Sequence, residues 1–175
     1  MRLSQHAGRP RGMTNSTPTK LGGYEITSYE EIAMGCGVAF TATITKDGKK
    51  VLTVENSGRG GCHTYGGVGS DWAGWREAEA EFEAFAKEWN KNSGLAGFED
   101  TDALVWHLIE VAALNQKRVV MFLLDDEDWF ESGVGRSMKA GVTYEQAYTY
   151  IAKTFPGRSA RIWNKTLSEF VTVEG

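Results

Sequence analysis

Apolar and polar side chains alternate with a period of two from Val38 onward. Val38, Phe40, Ala42 and Ile44 fall on one side, and Ala39, Thr41 and Thr43 on the other. That is the period of a half-buried strand, and it predicts a strand over 38–46. Asp47-Gly48 follows, and residues 49–56 (KKVLTVEN) form a second β-rich run. An Asp-Gly pair between two such runs predicts a tight hairpin, because both turn positions take positive φ there. Upstream, residues 23–29 (GYEITSY) read as a further short strand.

The period then changes to 3.6. Trp72, Trp75, Ala78, Phe82, Phe85, Ala86 and Trp89 recur at spacings of three and four, which predicts an amphipathic helix over 71–90 capped by Ser70 or Asp71. A second helix over 101–115, behind Asp100 or Thr101, carries Leu104, Val105, Leu108, Val111 and Ala112 on one face. Residues 118–124 hold the longest apolar run, 119–124, which suits a buried strand. Thr143 and Gln146 have capping-box spacing for a third helix with Ala147, Tyr148, Ile151 and Phe155 facing inward, and Pro156-Gly157 stops it. Residues 159–163 and 170–173 close the chain as two short strands around a turn near Lys165. Between the hairpin and the first helix, residues 57–70 hold six glycines, a density that predicts a loop, mobile in the free protein.

The order predicts an α+β fold: a mainly antiparallel sheet, made of the N-terminal β-hairpin and later strands, with about three helices packed on one face. A chain of 175 residues fits one domain. Residues 22–175 are expected to form it, behind a flexible basic arm over 1–21.

Composition narrows the class. With 41% hydrophobic and 24% charged residues the chain is an ordinary globular one. No run approaches the roughly 18 apolar residues of a membrane span, and the first twenty residues lack the apolar segment of a secretory signal. Two cysteines do not make a disulfide framework, so a reducing compartment, the cytoplasm, is expected. Met13 is a possible alternative start.

Charge is unevenly spread. Residues 1–24 carry four bases and no acid, whereas residues 71–131 carry fifteen acids against five bases. Glu77, Glu79, Glu81, Glu83 and Glu88 lie on the first helix, and Asp125, Asp126, Glu127, Asp128 and Glu131 follow the central strand. Such a field repels nucleic acid and speeds encounter with basic protein surfaces. Direct contact with nucleic acid is expected only through the arm. Asp125, Asp126, Glu127, Asp128, Glu77 and Glu81, with Trp129 and Phe130 as an exposed aromatic anchor, are the candidate partner-binding residues.

Other chemistry is sparser. Gly58, Gly60, Gly61, Cys62 and His63 form a possible ligand loop ahead of a helix N-terminus, where backbone N–H groups can cradle an anion, but no P-loop or dinucleotide spacing is present. Cys62 and His63 are nucleophile and base types, and Cys36 comes near them if the strands pair. Two cysteines and three histidines do not supply a recognisable zinc pattern. The acids at 125–128 are of a type that holds divalent cations, although adjacent side chains diverge. His107 reads as a hydrogen-bonded structural histidine. No catalytic set and no cofactor is assigned. The alternative to a binding protein is a small metal-dependent hydrolase or a nucleotide- or phosphate-binding domain using loop 57–70 and the acids at 125–128.

Three phrases, FTATITKDGKKVLTVENSGRGG (40–61), RVVMFLLDDEDWFESG (118–133) and TYEQAYTYIAKTFPGRSARIWNKTLSEFVTV (143–173), give the chain a likeness in kind. It resembles the small accessory proteins of bacteriophage genomes. The resemblance implies a role inside a bacterial host cell and, within that group, antagonism of host defence of the anti-CRISPR kind, by binding rather than catalysis. The implied partner is a basic, nucleic-acid-handling host protein such as a CRISPR–Cas component.

Overall fold

The computed structural model describes residues 21–34, 37–69, 72–93 and 100–173, with backbone alone at 72, 73, 92 and 93. Among the described residues eight strands and four helices follow one another: β1 (Tyr24–Met34), β2 (Gly37–Lys46), β3 (Lys49–Ser57), β4 (Thr64–Gly67), α1 (Trp72–Ser93), α2 (Asp100–Gln116), β5 (Met121–Leu124), α3 (Trp129–Ser132), β6 (Arg136–Ser137), α4 (Tyr144–Thr154), β7 (Ala160–Asn164) and β8 (Glu169–Thr172). The class is α+β, as its patterning predicts. The strands make two antiparallel sheets, ordered β1-β2-β3-β4 and β6-β5-β7-β8.

In the first sheet the predicted hairpin turns at Asp47 and Gly48, whose φ angles of 50° and 78° are those of a two-residue turn matched to strand twist. Lys46 and Lys49 face each other across it. Alternation sends Phe40, Ala42, Ile44, Leu52 and Val54 to one face, where all are buried. Against that face α1 packs Phe82 and Ala86, its half-buried Trp75, Ala78, Phe85 and Trp89 flanking them. β1 is longer than the short strand expected at 23–29. Its outer part, from Glu30 to Met34, is held by pairing with β2 and is exposed.

Two expectations for this half are corrected. Residues 57–70 are not a loop throughout, since 64–67 form β4, with Gly67 opposite Leu52 and Thr64 opposite Glu55. Gly67 lies so close to α1 that an added Cβ would stand 2.8 Å from the Cβ and Cγ of Trp75. Glycine here permits an approach of helix to strand, a packing demand that composition alone reads as looseness. The expected arm boundary also shifts. Leu21 is 5% exposed and belongs to the core, and the remainder of the arm, like the cap positions Ser70 and Asp71, lies outside the described residues.

Helix α2 joins the two sheets. It buries Leu104, Val105, Leu108, Ile109, Val111 and Leu114, more than one face can hold, and such a helix is covered on opposite sides. One side meets the first sheet; the other meets Met121 and Trp163 of the second within the same apolar cluster. All four residues of β5 are buried. Its Phe122 and Leu124 point the other way, toward Ala147 and Ile151 of α4 and Ala160 and Ile162 of β7. Helices therefore pack on both faces of the second sheet. The capping box of α4 is present, with Gln146 N donating to Thr143 Oγ1 and Thr143 N to Gln146 Oε1. No helix is long and apolar enough to cross a membrane among the described residues.

Candidate functional site

The acidic segment after β5 folds back on itself. Asp128 caps the single turn α3, its Oδ1 accepting from Phe130 N at 2.8 Å and from Glu131 N at 3.1 Å. Gly133 closes that turn with φ 66°. Glu127 accepts from Leu124 N at 2.9 Å and from Arg136 Nε at 2.8 Å. Asp125 is ion-paired with Arg158. These cationic partners hold the carboxyls of Asp125 and Glu127 below their usual range, first of all through the hydrogen bonds from Arg158 and Arg136. The acids at 125, 127 and 128 thus face three different sets of donors, as adjacent side chains do when they diverge. Among the described residues no group of three or more His, Cys, Asp or Glu side chains is placed to hold a metal ion.

The aromatic anchor divides as well. Trp129 is half-buried against the main core; its Nε1 donates to Glu110 at 2.8 Å and Lys117 Nζ lies over its ring. That corrects its reading as an exposed interface residue. Phe130 does reach the surface, at 37% exposure, and it looks into a cleft.

This cleft, about 610 Å³, lies between α1, α2, the α3 turn and β8. Aromatic rings wall it: Trp89, Trp106, His107, Phe130 and Phe170. Four of them pack in series, with His107 5.0 Å from Trp89 and 4.3 Å from Phe130, and Phe130 6.3 Å from Phe170, whereas the Trp106 ring packs on Phe40 and His63. Trp106 stands 42% exposed at its mouth. Glu110, Asp128, Glu131 and Glu169 bring four carboxylates to the lining, and Arg161 is its single guanidinium. Arg161 donates through Nη2 to the backbone oxygen of Glu127 at 2.6 Å, which fixes where its charge sits.

His107 is the group whose protonation would change this balance. Among the described residues its contacts are the rings on either side, where a hydrogen-bonded histidine is the expectation from sequence. Burial pushes its pKa down to about 4, with the Asp128 charge opposing. At neutral pH it is an uncharged aromatic wall. A concave site of neutral rings edged by excess carboxylate suits an organic cation, held by ring quadrupoles and Coulomb attraction together.

Other predicted residues lie elsewhere. Glu77 and Glu81 are exposed on α1 outside the cleft, and Glu81 pairs with Lys46. Asn56 organises the residues at 58–61, accepting from Gly58 N at 2.8 Å and donating to Gly61 O at 3.3 Å. β4 lies between this turn and α1 in the chain, so Gly58, Gly60 and Gly61 do not lead directly into that helix. Cys62 is exposed. His63 next to it is buried, with its Nδ1 3.2 Å from Asp102 Oδ1 and its backbone N donating to Asp102 Oδ2 at 3.0 Å. Tyr65 Oη donates to the same carboxylate at 3.1 Å. Cys36 lies outside the described residues.

Sequence reasoning missed Trp89, Trp106, Glu110, Arg161, Glu169 and Phe170 as parts of one site. Trp106 alone carried a signal, since it falls off the apolar face predicted for α2. The remaining residues come from α1, α2, β7 and β8, elements far apart in the chain whose meeting no local pattern encodes. Comparison of the chain with models of protein families, with curated proteins and with solved structures gives no match.

Proposed function

We propose that this protein is an accessory protein of the bacteriophage type that acts by binding a basic host protein, and that a cationic side chain of the partner seats in the cleft between α1, α2 and β8. The target class is a nucleic-acid-handling defence protein, such as a CRISPR–Cas component, whose arginines and lysines would otherwise meet phosphate. One observation carries the reading: five aromatic walls share a cleft with four carboxylates and one guanidinium. Arginine on an aromatic face beside a carboxylate combines stacking with charge pairing. The same balance disfavours a phosphate ligand, and the diverging acids at 125–128 disfavour a metal-dependent hydrolase.

The acidic exterior adds long-range attraction, while affinity is placed in the cleft. Affinity capture from a bacterial host, followed by direct titration of the captured protein, tests this. Phe130→Ala combined with Glu131→Lys should weaken binding by about tenfold or more and reduce its salt dependence. Undiminished binding by that double variant overturns the proposal.

A further inference from the structure

We propose that the chain's own residues 1–20 are the resident occupant of the cleft, seating an arginine there that a basic partner must displace. This rests on the reading of the cleft as a cation site, and it concerns how that site is regulated.

Three observations lead to it. First, the chain leaves the described structure at the cleft wall. Leu21 lines the cleft and is 5% exposed, and its carbonyl accepts from Tyr24 N at 2.9 Å, so the point of departure is fixed in the fold. Second, the charges are complementary. Residues 1–20 carry Arg2, Arg9, Arg11 and Lys20 with no acid, while the cleft holds four carboxylates against Arg161. Third, the reach is sufficient. Arg11 is ten residues from Leu21, a contour of roughly 35 Å at full extension, and Arg9 is only two further. The linear dimension of a cleft of about 610 Å³ is far shorter than that contour, so either arginine can arrive without extending the chain fully.

Tethering raises the local concentration of these arginines to the order of millimolar, which weakens a competing ligand's apparent affinity in proportion to the occupancy of the tethered group. Lys20 directly precedes Leu21, whereas Arg9 and Arg11 have ten or more residues of tether, and a guanidinium stacks on aromatic faces better than an ammonium does, which favours Arg9 and Arg11 as the seated groups.

The test compares three full-length proteins in titration with an octa-arginine peptide: the parent, Arg9→Glu with Arg11→Glu, and Lys139→Glu with Lys153→Glu. The last pair makes the same change in net charge at exposed positions away from the cleft. The arm variant is expected to bind the peptide about tenfold more tightly than the parent, and the control variant at most two- or threefold more tightly. Equal affinity of parent and arm variant, or an equal gain in both variants, overturns the arm as occupant while leaving the cleft a cation site. Absence of octa-arginine binding in all three overturns the cation site and the arm's occupancy with it.

Discussion

Replacing Gly67 by alanine should destabilise the protein through a contact that the glycine content of 57–70 conceals. The added Cβ would stand 2.8 Å from Trp75 Cβ and Cγ and 3.1 Å from Cδ1, so β4 or α1 must shift. Gly67 also pairs with Leu52, which is fully buried, and the strand cannot relax outward without loosening that register. Overpacking of this kind costs about 1–3 kcal/mol, offset by about 0.5–1 kcal/mol from the stiffer unfolded chain. The expected net loss is about 1–2 kcal/mol, a fall in Tm of roughly 2–8 °C for a chain this size. Gly60 in the same segment is the comparison. It has φ 74° and nothing within 4 Å of an added Cβ. Its cost comes from left-handed backbone alone, so Gly60→Asn should recover most of what Gly60→Ala loses. At Gly67 the loss should instead grow with side-chain size, asparagine being worse than alanine. Calorimetric melting of the four variants decides the matter. Equal melting temperatures for parent and Gly67→Ala, or recovery by asparagine at Gly67, would refute the packing argument.

The remaining predictions concern titration and buried polar contacts. Because His107 has a folded-state pKa of about 4 against 6.5 unfolded, the unfolded chain takes up the proton first, so its stability contribution is lost as pH falls from about 6.5 toward 4. Urea unfolding at pH 8 and 4.5 should show the parent losing about 2–3 kcal/mol more than His107→Gln, and identical losses would refute the burial of that ring. Asp102→Ala removes the acceptor for His63 N and Tyr65 Oη and should cost about 2 kcal/mol in the same assay. A loss below about 0.5 kcal/mol would mean that those donors find water.

What the sequence discloses and what it withholds follow from the range of the forces involved. The Asp47-Gly48 turn and the Thr143/Gln146 capping box are settled within four residues, and the structure has both. The division of the strands into two sheets is not local. It depends on α2 being apolar around most of its circumference, and the spacing of Leu104, Leu108 and Val111 discloses one face while Ile109 and Leu114 extend the apolar surface past its two edges. Glycines at 66 and 67 read as breakers because their reason is Trp75 and Thr53, residues from other elements. The acids at 125–128 were legible as a cluster but not as partners of Arg136 and Arg158, which arrive from β6 and the turn before β7. Phe130 was legible as an exposed aromatic. The cleft it faces required β8 to bring Glu169 and Phe170 beside α2.

Seating of cations among the aromatic walls of the cleft can be followed through the tryptophan indole N–H signals while octa-arginine is titrated into the full-length protein. Trp89 and Trp106 line the cleft, whereas Trp75 packs under β4 beside Gly67. The Trp89 and Trp106 signals should shift together and saturate at one common affinity while the Trp75 signal stays in place. Peptide binding that leaves Trp89 and Trp106 unmoved would contradict that seating.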